Sequence, residues 1–120
     1  MAAYLDAIFG GLQRFAERRK AAQRWTACAL GTSNRAWRLT FLREARAAQS
    51  AARRLLTTTA DELGPPPPGI PDDADTATLP PMVVLARRLC ALRDELELEA
   101  RRLSSLEADC ASREGPRWTA

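Results

Sequence analysis

The sequence contains no histidine, one lysine (Lys20) and one tyrosine (Tyr4). Histidine is the commonest general acid–base group, so proton-transfer chemistry would fall to carboxylates or cysteine. The three cysteines, Cys28, Cys90 and Cys110, stand far apart. They supply none of the short ligand pairs that hold a metal ion. An odd number of distant thiols also argues against a disulfide framework, which favours a reducing compartment, cytoplasm or nucleus. The glycines form neither GxGxxG nor GxxxxGK, so no phosphate-cradling loop is present. These gaps together predict a chain that is not an enzyme and carries no cofactor or metal.

Valine and isoleucine occur twice each and aromatics make up 6% of residues, which leaves little from which to build strands. No stretch approaches the roughly 18 consecutive apolar residues of a transmembrane helix. The first twenty residues lack the basic start and continuous apolar run of a secretory signal. They are amphipathic and Arg-rich, as mitochondrial presequences are, but Asp6, Glu17 and the absence of serine weaken that alternative.

What the chain does have is alanine, leucine, arginine and glutamate, all strong helix formers. Two interruptions divide them into three stretches. Gly31-Thr32-Ser33-Asn34 offers a glycine able to end one helix in the left-handed conformation, and Ser33 or Asn34 to cap the next. Residues 64–80 hold Pro65–Pro68, Pro71 and the acids Asp72, Asp73 and Asp75. Proline there denies the backbone its helical hydrogen bonds, while Pro80 and Pro81 suit the first turn of a new helix. The predicted organisation is a basic helical hairpin over 1–63, a proline-rich acidic connector over 64–80, a leucine-heptad helix over 81–113 and a flexible tail over 114–120. The fold class is all-α: three long helices in an up-down bundle with coiled-coil-type packing.

The third helix carries the clearest pattern. Met82, Leu85, Leu89, Leu92, Leu96, Leu103, Leu106 and Cys110 follow steps of three and four, broken only where Glu99 stands. Such a seam must be covered by another helix. Leu85, Leu89, Leu92, Leu96, Leu103 and Leu106 are therefore the predicted partner-binding residues. In the second helix the seam reads Phe41, Ala45, Ala48, Ala52, Leu55 and Leu63, with Trp37 and Leu56 beside it, so its small residues could accept the leucines of the third. In the first, Leu5, Ile8, Leu12 and Phe15 begin an apolar face that Arg19 interrupts, and Gly10-Gly11 makes a kink plausible. Trp25 and Trp37 flank the first turn and are expected to pack near each other. Thr57-Thr58-Thr59 suggests local fraying.

Charge is divided unevenly. Residues 1–60 carry 11 Arg or Lys against three acids, a balance of +8, and residues 61–120 carry seven Arg against twelve acids, a balance of −5. Mutual neutralisation of the two halves is the simpler account. The alternative is a basic stripe formed by Arg35, Arg46 and Arg53, with Arg43 and Arg54 beside them, that binds nucleic-acid phosphates. The acids Asp94, Glu95, Glu97 and Glu99 read as a solvated face, with Glu97 and Arg101 as an i,i+4 pair. Arg101-Arg102-Leu103-Ser104 looks like a basophilic kinase site, although so short a string is common by chance. The functional expectation is a helical subunit or adaptor of an intracellular multiprotein complex. Its partners would be other helical proteins, as hetero- or homo-oligomer.

Overall fold

A computed structural model of the chain describes residues 2–64 and 79–119, with side-chain surroundings for 6–64 and 79–111. It contains three helices, α1 (Ala2–Gly31), α2 (Arg35–Leu63) and α3 (Pro81–Thr119). Among the described residues there is no strand. Most of the expected connector, residues 65–78, lies outside the description. α3 runs past the boundary expected at 113.

Local chemistry explains where the helices start and stop. Asn34 caps α2: its side chain accepts a hydrogen bond from the Trp37 backbone N–H at 3.1 Å. The carbonyls at the end of α1 are held by a side chain, because Arg38 donates to Ala29 O at 3.2 Å and to Thr32 O at 2.6 Å. Gly31 is thus not needed in the left-handed conformation expected of it. Gly64, with φ 84°, takes that role after α2, and its N–H donates to Ala60 O at 3.0 Å. α3 opens with Pro81, whose missing N–H is no loss there, and the Pro80 carbonyl accepts from Val83 N and Val84 N.

α1 and α2 form an antiparallel hairpin, as the short turn requires. α3 lies antiparallel to α2: Arg46 reaches Glu107 and Arg53 reaches Glu97, while Leu56 clusters with Leu89. It is accordingly parallel to α1, where Phe15 meets Leu92 and Ala29 meets Leu103. The result is an up-down-up bundle. Its central cluster joins Phe15, Ala52, Leu56, Leu89, Leu92 and Leu96, and a second cluster joins Ala29, Leu42, Ala45 and Leu103. Burying a Leu or Phe side chain contributes roughly 1.5–3 kcal/mol, so these few residues dominate the stability of the bundle.

Several local expectations are corrected. α1 continues through Gly10-Gly11 as one helix, and Gly11 lies close against the side chain of Thr59 on α2. Thr59 is buried and not frayed, its hydroxyl donating back to Leu55 O at 2.7 Å. At the start of α3 it is Val83 and Ala86 that are buried, while Met82 and Leu85 are only partly covered. In α2 the inner row is Leu42, Ala45, Ala52 and Leu56, with Phe41, Leu55 and Leu63 at its edges. Trp25 and Trp37 each pack on Phe41, with ring centroids 5.8 Å apart in both pairs.

Candidate helix-docking groove

Four of the six predicted partner-binding leucines, Leu89, Leu92, Leu96 and Leu103, are covered by the chain's own α1 and α2. Leu85 and Leu106 are half-buried. The seam read from the sequence is therefore the hydrophobic interior of this bundle. The basic stripe behaves similarly. Arg35 donates to Cys110 O at 2.6 Å, Arg46 bonds Glu107 at 2.6 Å and Ser104 at 2.8 Å, and Arg53 pairs with Glu97 at 3.1 Å. Of the five residues named for that stripe, Arg43 and Arg54 make no such bond to α3 among the described residues; both lie exposed on α2. The acids of α3 are the other half of these pairs, which is why Glu97 turns to Arg53.

The two residues that spoiled the apolar patterns meet each other. Arg19, the interruption in α1, donates to Glu99, the interruption in α3, at 2.8 and 3.0 Å, and to Glu95 at 3.3 Å. The arrangement is partly buried, and the hydrogen bond to Glu99 is the main reason the guanidinium is held above its ordinary pKa. One arginine thus spans the junction between α1 and α3 by its length, where apolar side chains would have drawn the helices together.

On both sides of that bridge the α1–α3 junction is hollow. One hollow of ≈ 410 Å³ is lined by Leu12, Phe15, Ala16, Lys20, Arg88 and Leu92 among others. A second, ≈ 280 Å³, shares Gln23 with the first and continues along Ala27, Leu30 and Arg102. A third, ≈ 220 Å³, shares Leu30 with the second and ends at Leu106, Asp109 and Cys110. The three lie in line and form one shallow groove along the length of the bundle. Its floor is apolar and its rims carry charge. Leu30, 51% exposed, lines the second and third hollows, and Phe9, 58% exposed, lies on α1 seven residues before Ala16 of the first.

The rims have a periodicity that hydrophobic pattern reading misses. Phe9, Ala16, Gln23 and Leu30 recur every seven residues along α1, and Arg88, Glu95, Arg102 and Asp109 every seven along α3. A seven-residue step returns a side chain to within about 20° of the same face, so each set forms one row that winds by about 60° from end to end. The second row is not apolar, so no amphipathic signal could have found it. Repetition of charge at a fixed step could have.

Among the described residues no group of three His, Cys, Asp or Glu side chains is placed to hold a metal ion, and no helix is long and apolar enough to cross a membrane. Comparison with protein-family models, with curated proteins and with solved structures finds no match.

Proposed function

We propose that this chain is a non-enzymatic helical subunit or adaptor of an intracellular multiprotein complex, and that it assembles through the face that carries the α1–α3 groove. The observation that carries this reading is the line of three hollows, two of them lined by exposed Leu30. α1 and α3 are parallel, so a partner laid over this face can pack helices antiparallel to both. It would cover apolar floor that is now open to water, at roughly 25 cal/mol per Å². The docking surface is thus moved from the leucine seam, which the chain covers itself, to the face that seam leaves open.

A photo-crosslinking amino acid placed at Gln23, inside the groove, tests the reading in cells that make the protein. Ser50, exposed on α2, is the control position. The expected result is a discrete adduct from position 23 and none from position 50. Equal adducts at both positions, or none at 23, would remove the groove from consideration.

A further inference from the structure

The occupant can be specified from the charge on the α3 rim. Reading along the helix, Arg88, Glu95, Arg102 and Asp109 alternate in sign at a constant step of seven. Arg88, Arg102 and Asp109 lie exposed on the hollows, and Glu95 keeps 44% of its side-chain surface exposed although it also touches Arg19. An alternating row of four has a particular property. Turned end for end and laid against itself, it places every positive group opposite a negative one: Arg88 meets Asp109, and Glu95 meets Arg102, each pair occurring twice. Laid against itself in the same direction it would place like charges together. We infer that the groove face is covered by a second copy of this chain, in an antiparallel two-fold dimer that sets α3 on α3 and α1 on α1, rim against rim. This proposal rests on the groove being a docking surface and goes further by naming its occupant.

Two other features agree with the same axis. The centre of the α3 row falls between Leu98 and Glu99. The α1 row, Phe9 to Leu30, has its centre between Arg19 and Lys20. These two centres lie near each other in height, because Arg19 reaches both Glu95 and Glu99, at 3.3 and 2.8 Å. A single two-fold axis therefore serves both rows, as an isologous interface requires. On α1 that axis puts Phe9 opposite Leu30 of the second copy, so the two exposed apolar ends cover each other. Leu98 is the second feature. It is 64% exposed and so far lacks a reason to be leucine. Next to the axis it would meet its own counterpart, a position at which an apolar residue is self-complementary. Lys20, also near the axis, is long enough to carry its ammonium outward to water.

Sedimentation equilibrium on the full chain provides the test, with circular dichroism to show that each variant folds. Arg88 and Asp109 are suited to it because neither has a hydrogen bond or ion pair within the described chain. The wild-type protein is expected at twice its 13.2 kDa. Arg88→Asp alone and Asp109→Arg alone each turn two attractive pairs into two repulsive ones and should raise the dimer dissociation constant by about tenfold or more. The swapped protein, with both substitutions, restores every pair in reversed sign and should return to within about threefold of wild type. Raising salt from about 0.1 M to about 1 M shortens the screening length from about 10 Å to about 3 Å and should weaken the wild-type dimer. Leu98→Asp should weaken it as well.

A monomer at the highest soluble concentration would overturn the dimer while leaving the groove to be judged by the adduct at Gln23. A dimer indifferent to Leu98→Asp and to both charge reversals would mean that the copies meet on another surface, and would overturn it equally. A swapped protein no better than the single reversals would overturn the antiparallel pairing.

Discussion

The two junctions that α1 makes differ in kind. Against α2 it places Gly11, where the helices come close enough for that glycine to lie against the Thr59 side chain, beside Phe15 packed with Ala52 and Leu56. Against α3 it presents Arg19, whose long side chain meets two glutamates, with hollows on either side. Side-chain size at the contact sets how near two helices can lie, typically 8–10 Å between axes. The first junction is a closed one that specifies the hairpin. The second holds α3 in register while leaving a face uncovered. The fold thus separates the surface that makes the bundle from the surface available to a partner.

The strongest way to break this division is to remove a leucine that closes the bundle from the α3 side. Leu96 is 3% exposed in the central cluster with Phe15, Ala52 and Leu56. Leu96→Ala loses the transfer energy of the removed atoms and leaves a cavity, which costs about 2–5 kcal/mol. Urea unfolding followed by circular dichroism should show a loss of that size. A loss below about 1 kcal/mol would mean that Leu96 is not a core residue.

The adjacent glycines give an intermediate test of the closed junction. A Cβ on Gly10 would meet only the flexible end of Arg14, 3.6 Å away, so Gly10→Ala should stabilise by up to about 1 kcal/mol through helix propensity. A Cβ on Gly11 would run into the Thr59 hydroxyl, which is already committed to Leu55 O. Overpacking costs about 1–3 kcal/mol, enough to outweigh the propensity gain. Gly11→Ala should therefore destabilise, and Thr59→Ala in the same chain should relieve much of that loss, a coupling that a double-mutant cycle measures. Two adjacent glycines stabilised alike by alanine would contradict the close approach.

Much of this architecture was legible in the sequence, and the parts that were not have physical reasons. The bounds of α2 and the start of α3 follow from Asn34, Gly64 and the Pro80-Pro81 pair, because capping chemistry is local. The leucine seam was found for the same reason: periodicity is a property of one helix. What covers the seam is not, since the connector permits α3 to run in either direction: packing of α3 on α2 was expected and is found, whereas the same leucines were also assigned to a partner and α1 completes their cover. The shift from Met82 and Leu85 to Val83 and Ala86 is of the same origin, because the seam turns slowly about a straight helix. Arg19 and Glu99 were each visible as faults in an apolar row. Only their packing shows that each answers the other. The Arg35, Arg46 and Arg53 stripe was read correctly as one face of α2, but sequence alone could not show that this face looks at α3.

Arg19 itself gives the third test. Replacing it with methionine keeps most of its length but leaves Glu95 and Glu99 without their cation in a partly covered site. The expected cost is about 1–2 kcal/mol, between the value of a hydrogen bond to a charged group and that of breaking a fully buried pair. Because its pKa lies above the ordinary value in the folded chain, Arg19 contributes fully at neutral pH and loses its contribution only in strongly alkaline solution. Chemical denaturation at neutral pH is therefore a sufficient measurement.

Arg53 supplies the smallest and most discriminating comparison. It also joins an earlier helix to an α3 glutamate, at 3.1 Å, but the two side chains are 60% and 47% exposed, against 22% and 30% for Arg19 and Glu99. Water screens so open a pair, and fixing two long side chains offsets much of the attraction. Arg53→Ala should change stability by no more than about 0.5 kcal/mol, and less in high salt. If it cost as much as losing Arg19, then cross-helix charge alone would hold α3 in place and the α1–α3 junction would have no special standing. If it costs little, the bridge at Arg19 is set apart by its partial burial, and the groove on either side of it is kept open by that contact between α1 and α3.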